Sequence, residues 1–268
     1  MEHFETIETI TRSLRDNAAI RAVFLSGSYS TGLADEYSDI DFLIVARDGA
    51  TDAVSALCHK AISQTGEIVL WRDRTPRPVL INAITDDWTR VDALILKATQ
   101  MGGQTQDSLT PLFDYDGIFN ALPATSKNQG PNPAKLKSQF EEFIKILGLL
   151  HLAAGRKEYI NGMLGVFHLR NFLVELLIEE TDAPNRGGVL HLNRLITDEQ
   201  KALLISMPPA IPNREAMITA HLAYAQAYLP RARKLALQWG VEWPERFEEV
   251  TWNQLRKSMS IERPYDWS

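Results

Sequence analysis

VFLSGSYSTGLADEYSDIDFLIV, residues 23–45, holds two apolar runs of strand type joined by a polar turn. Val23, Phe24 and Leu25 lead into a Gly27-Ser28 pair. After ten intervening residues Asp39-Ile40-Asp41 opens the second run. Side chains alternate along a strand, so Asp39 and Asp41 share one face while Ile40, Phe42 and Ile44 take the other. Two carboxylates on one face of a buried strand are costly unless a cation compensates them. A hard divalent ion with oxygen ligands, above all Mg2+, is the natural compensation, and such ions commonly act together with substrate phosphates. Gly27 allows close backbone approach, and Ser28 offers a hydroxyl and N–H groups for an anion at a strand-to-helix turn. The stretch reads as a metal-dependent nucleotide site.

Gly-Ser, ten residues and Asp-x-Asp between two strands resemble the nucleotidyltransferase superfamily that includes DNA polymerase beta. GSYSTGLADEYSDIDFLIV, residues 27–45, is most similar to its small-molecule branch, the nucleotidyltransferases acting on aminoglycoside and lincosamide antibiotics. A weaker pattern extends over the first 120 residues. The resemblance implies an α+β fold, with an N-terminal polymerase-beta-like domain built on a mixed sheet and a helical bundle after it. It also implies a third acidic residue on a later strand. EIVLW (67–71), VLINAI (79–84) and RVDALIL (90–96) read as three short strands, separated by the turn-rich TPRP and TDD. Asp92 stands alone among apolar residues in the last, on the face of Leu94 and Leu96, and is the candidate; Asp86 and Asp87 belong to a turn.

The chemistry implied is attack by an acceptor hydroxyl on the α-phosphorus of a nucleoside triphosphate, with pyrophosphate leaving in line. Two Mg2+ ions would be held by Asp39, Asp41 and Asp92, and the terminal phosphates of ATP by Gly27 and Ser28. The resemblance implies that the third carboxylate can also act as general base. A carboxylate beside metal ions is a weak base, however, and the metal can acidify the hydroxyl directly. Glu141, Glu142 and Glu175 are rivals to Asp92 for that role.

Composition sets the outer bounds. The chain has 268 residues, 45% hydrophobic and 23% charged, as in an ordinary globular protein able to bury a large core. No apolar run reaches the roughly 18 residues of a membrane span, and MEHFETIETITRSLRDN is too charged for a signal peptide. That start reads as an amphipathic helix with Phe4, Ile7, Ile10 and Leu14 on one side. The single cysteine, Cys58, has no internal disulfide partner, so a reducing cytoplasm is expected, with the thiol packed on a helix between strands. Residues 1–120 carry 10 Lys and Arg against 18 Asp and Glu, and residues 121–268 carry 18 against 16. An acidic catalytic half opposes a nucleic-acid backbone and suits a cationic small-molecule acceptor.

ALPATSKNQGPNPAK, from Ala121 to Lys135, marks a boundary. The expected division is a catalytic domain over 1–120, a linker over 121–134 and a helical, acceptor-binding domain over 135–268. LFDYDGIFNAL (112–122) resembles a segment closing the catalytic domain of small-molecule relatives. Beyond the linker, Leu136, Phe140, Phe143, Ile144, Leu147 and Leu150 recur at helical spacing, as do Leu164, Phe167, Phe172, Leu173, Leu176 and Leu177. TDAPNRGG (181–188) breaks the pattern, and further helices are expected at about 198–207, 213–239 and 244–257, the second with a kink at Pro230. Arg170 shares a helix with Tyr159, His168 and Glu175; it could reach the triphosphate, but a salt bridge to Glu175 or a nearby acid is the reading expected. Lys135, Lys137, Arg156 and Lys157 read as solvated faces, and the aromatics of VEWPERF and PYDWS as packing residues. Arg186 and His191 straddle a Gly-Gly turn, and the six His show no metal-ligand spacing. Two other readings compete with small-molecule transfer: a protein-adenylylating antitoxin-type enzyme, which would lack so long a helical extension, and an inactive nucleotide-binding relative, which would not need all three aspartates.

Overall fold

The computed structural model describes residues 2–74, 79–125, 130–181 and 192–266. The chain falls into two compact units, Met1–Lys127 and Asn128–Ser268. TPRP, most of TDAPNRGG, Arg186 and His191 lie outside the described residues.

The first unit runs α1 (Glu2–Leu14), β1 (Ile20–Leu25), a single turn α2 (Gly27–Ser30), β2 (Ile40–Ala46), α3 (Thr51–Ile62), β3 (Ile68–Arg74), β4 (Val79–Thr85), β5 (Arg90–Lys97) and β6 (Thr110–Asp114). The strands form one six-stranded sheet in the order β3-β4-β5-β2-β1-β6. β2 and β5 pair in parallel and the other neighbours antiparallel, so the sheet is mixed. β2 and β5 are central and can be apolar on both faces, which is why IDFLIVA is nearly continuous in hydrophobic residues. One face packs on α1 and α3: Ile40, Phe42, Ile44, Ile81, Ala83, Val91, Ala93 and Ile95 meet Ile7, Ile10, Leu14, Val54, Cys58 and Ile62. On the other, Leu43, Val45 and Leu96 join Ala22, Phe24, Met101 and Leu109, with Leu94, Ile118 and Phe119 against them. Asp41 and Asp92 belong to this second face, at the opening ends of their strands.

α1 departs from the expected stripe in one residue. Ile7, Ile10 and Leu14 are buried, but Phe4 is 69% exposed, with the edge of Tyr29 at 6.0 Å between ring centres. Cys58 is buried on α3 as expected, and burial pushes its thiol up to about 12, which leaves it unreactive.

The second unit is helical: α4 (Pro133–Gly148), α5 (Leu150–Arg156), α6 (Tyr159–Thr181), α7 (Leu192–Leu195), α8 (Asp198–Ser206), α9 (Arg214–Gln238) and α10 (Glu245–Met259). Asn132 caps α4 through Ala134 N and Lys135 N at 3.0 and 3.2 Å, with Pro133 in the first turn where its missing N–H costs nothing. α9 continues through Pro230. Leu136, Phe140, Phe143, Ile144 and Leu147 of α4 are buried against Leu169, Leu173, Leu176 and Leu177 of α6 and Tyr224, Tyr228 and Leu229 of α9. Phe143 and Tyr228 stack at 3.8 Å.

Two expectations for this unit need correction. Leu164 and Phe167 are 57% and 56% exposed; the buried line of α6 is Gly162, Val166, Leu169 and Leu173 instead. Gly162 is there because the helices pack closely: a Cβ would run into Met217 Sδ of α9. Arg170 does not pair with Glu175. Its guanidinium donates to the Tyr224 hydroxyl at 3.3 Å, and Glu175 is held by Gln139 and by Lys135, the latter at 3.7 Å. Trp243 and Tyr265, from the two terminal aromatic motifs, both donate to the buried Glu248 at 2.8 Å.

Candidate active site

The β1–β2 ladder continues past its last strand residue through Ser26 N to Asp41 O at 2.9 Å. This brings the Gly27-Ser28 turn directly against Asp41. Gly27 has φ +60°, and a Cβ there would overlap Asp41 Oδ2 and lie 2.9 Å from its Cγ. Backbone conformation and space thus both require glycine. α2 is fixed from several sides. The Ser30 hydroxyl lies 2.9 Å from Gly27 O and 2.8 Å from Ser108 O, Leu33 N donates to Ser28 O at 2.9 Å, and the Tyr29 hydroxyl lies 2.7 Å from His3 Nδ1. The Ser28 hydroxyl itself is buried and has no hydrogen-bond partner. A buried hydroxyl in that state destabilises the fold unless a ligand takes it up.

Parallel pairing of β2 and β5 sets Asp41 opposite Asp92. Asp39, one residue before β2, completes a group in which one oxygen from each carboxylate lies within 4.8 Å of the others. Among the described residues this is the group of acidic, His or Cys side chains able to hold a metal ion. Arg90, at the start of β5, offsets part of the charge: Nη1 stands 3.6 Å from Asp39 Oδ2, and Nη2 donates to Tyr37 O at 2.9 Å, tying down the loop before β2. On β4, Asn82 faces Asp92 and its Nδ2 donates to Asp92 Oδ1 at 2.8 Å.

Three carboxylates and one guanidinium leave the cluster with an excess of negative charge. Asp41 shows the consequence: burial first, then the charges of Asp39 and Asp92, push it up to about 7, against the opposing pull of Arg90. An all-oxygen donor set of this kind fits a hard divalent cation, whose charge would remove the repulsion. The unpartnered Ser28 hydroxyl beside Asp41's strand fits a phosphate oxygen. The five residues singled out in the sequence therefore divide into a carboxylate group and a turn packed on one member of it. Asn82 and Arg90 escaped the sequence reading; a polar residue in the apolar run VLINAI, on the face of Asp92 once the strands are paired, was the available signal for Asn82. Asp86 and Asp87 are turn residues as expected: Asp86 accepts from Glu67 N and Asp87 from Thr89 N. Glu141, Glu142 and Glu175 lie on α4 and α6, where Glu142 holds Lys145 at 2.9 Å.

Comparison with known proteins follows the same lines. The family model for the nucleotidyltransferase domain matches residues 7–75. That stretch contains Gly27, Ser28, Asp39 and Asp41, while Asp92 lies beyond it. No curated protein sequence matches the chain. Among solved structures it is similar to an aminoglycoside 6-adenyltransferase from Bacillus subtilis, at 12% identity and TM-score 0.42, covering 94% of this chain and 96% of that one. It is also similar to a cytoplasmic RNA terminal U-transferase, at 17% identity and TM-score 0.31, covering 85% and 64%. A third is terminal uridylyl transferase 4 from Trypanosoma brucei, at 15% identity and TM-score 0.26, covering 84% and 65%. These likenesses are too distant to bear on the substrate. The domain match and the motif it spans show a nucleotidyltransferase domain in the first unit, and with it an enzyme of nucleotidyl transfer.

Proposed function

We propose that the protein transfers a nucleoside monophosphate, AMP from ATP, to a hydroxyl of a small cationic acceptor such as an aminoglycoside or a lincosamide, releasing pyrophosphate. The observation that carries this is the carboxylate group of Asp39, Asp41 and Asp92, packed against the Gly27-Ser28 turn. In this reading residues 1–120 are the catalytic domain, 121–134 the linker and 135–268 the acceptor-binding domain of a cytoplasmic enzyme. Among the described residues no helix is long and apolar enough to cross a membrane.

Asp39, Asp41 and Asp92 would hold two Mg2+ ions. Bound there, the ions supply Lewis-acid stabilisation of the attacking and leaving oxygens of an in-line displacement. Gly27 keeps the backbone clear so that donor phosphates can approach Asp41. The Ser28 hydroxyl, which has no protein partner, donates to a phosphate oxygen. Arg90 holds Asp39 and the loop carrying it in place before the donor arrives. Asp92 takes the proton of the acceptor hydroxyl as that oxygen bonds to the α-phosphorus, and the bond from phosphorus to the pyrophosphate oxygen breaks. The net charge of −8 over residues 1–120 favours a cationic acceptor over a nucleic acid.

Incubation with Mg-ATP and a panel of aminoglycosides and lincosamides, followed by mass spectrometry, tests the acceptor. One panel member should gain the mass of one nucleotidyl group, a nucleoside monophosphate less one water. Modification of a co-purifying protein instead, with every drug unchanged, would replace the small-molecule reading by the protein-adenylylating one.

A further inference from the structure

β3, β4, β5 and β2 bring Arg72, Asn82, Asp92 and Asp41 into one row across the sheet. In β4 the buried Val79, Ile81 and Ala83 face α1 and α3, and Leu80, Asn82 and Ile84 face the other way, alternately with them. Asn82 is thus the one polar side chain between two apolar neighbours on the carboxylate-bearing face of its strand. Asparagine is a poor strand former, and a β-branched apolar residue would suit this position better. Its amide is also half satisfied. Nδ2 donates to Asp92 Oδ1 at 2.8 Å, while Oδ1 is buried without a partner. Such an oxygen destabilises the fold. A residue that fits its strand badly, leaves a buried acceptor unpaired and touches a member of the site has the pattern of a functional residue rather than a structural one.

We infer that Asn82 is a positioning residue for the third carboxylate: its amide N–H fixes the rotation of Asp92 relative to Asp39 and Asp41. An apolar side chain here would leave Asp92 free to turn about its last bond. A lysine would fix it but would compete with a cation for the same charge, and an aspartate would add a fourth negative group. A neutral donor meets the requirement without changing the site's charge. Partners of this kind behind a metal-ligating carboxylate orient it, and losing one typically lowers metal affinity or activity by about 10–100-fold. The inference rests on the reading of the three aspartates as a cation site.

The test uses the full chain with Asn82→Val and Asn82→Ala, and Asp41→Asn as control, measuring Mn2+ binding by titration calorimetry, thermal unfolding without metal, and kcat and donor KM. Asn82→Val is expected to weaken Mn2+ binding and lower kcat by about 10–100-fold, with donor KM within twofold. Its Tm should hold or rise, since the unpaired oxygen is gone. Asn82→Ala should show the same binding loss, and it decides the matter if the valine variant does not fold. Mn2+ affinity within twofold of wild type in a folded Asn82 variant overturns the inference. So does a lowered Tm with unchanged Mn2+ affinity, which would make Asn82 structural. A wild-type chain whose Mn2+ binding needs Asp41 but not Asn82 refutes this inference alone. A wild-type chain that binds no Mn2+ refutes the cation site and this inference with it.

Discussion

Asp41 and Asp92 stand directly opposite each other in the parallel pairing of β2 and β5. Sheet register thus sets two carboxylates side by side in a partly buried position, where burial first, and then the charges of Asp39 and Asp92, raise the pKa of Asp41. The first prediction follows from this. Asp41 in the folded protein lies well above its ordinary value, at about 7. Folding therefore favours the protonated form, and its stabilising effect is present at low pH and lost as pH rises from about 4 to 7. Unfolding of the metal-free protein by denaturant should show stability declining over that window. Asp41→Asn should flatten the decline, and added Mg2+ should stabilise wild type more at pH 8 than at pH 5.5. A wild-type profile that parallels the variant's would refute the raised pKa of Asp41.

Gly27→Ala carries two penalties. Alanine at φ +60° costs about 1–3 kcal/mol, and its methyl group would overlap Asp41 Oδ2. Denaturant unfolding should show a loss of at least about 1 kcal/mol, with transfer abolished because Asp41 is displaced. Retained activity at wild-type stability would mean that Gly27 does not lie against Asp41.

Ser28→Ala should separate binding from folding. Removing a buried hydroxyl that has no protein partner leaves stability unchanged or slightly raised. Loss of its hydrogen bond to an anionic phosphate should weaken donor binding by about 1.5–3 kcal/mol, roughly 10–100-fold. Equilibrium binding of a non-hydrolysable ATP analogue checks this; unchanged affinity would remove Ser28 from the donor site.

Arg90→Leu should loosen Asp39 and the segment ending at Ser38, since it removes both the ion pair at 3.6 Å and the bond to Tyr37 O at 2.9 Å. Hydrogen exchange should quicken over residues 33–39, and kcat should fall at least tenfold, about 1.4 kcal/mol of lost organisation. Unchanged exchange with unchanged kcat would assign Arg90 to the surface alone.

The carboxylates were legible in the sequence because each stands against an apolar background. Period 2 placed Asp39 and Asp41 together, and Asp92 was the one charge between apolar neighbours in RVDALIL. Asn82 and Arg90 were not, because their roles arise from pairing between strands. Nothing within VLINAI states that β4 lies beside β5 in the register that sets Asn82 on Asp92. Arg90 likewise acts on Asp39 and Tyr37, far away in the chain. Leu164 and Phe167 misled for a different reason. α6 is apolar on most sides, so spacing alone could not tell its buried line from its exposed one. The close contact of Gly162 with Met217 decides it, and that contact belongs to the packed helices.

The most direct test of the account is pyrophosphate release from ATP with acceptor, measured in Mg2+, after chelation, and with Asp41→Asn. Release that stops on chelation and falls in the variant by more than the ~10–100-fold typical of an outer partner is the result expected of a first-rank metal ligand. Release that continues in folded Asp41→Asn at near the wild-type rate would contradict the assignment of the three aspartates as the catalytic cation site.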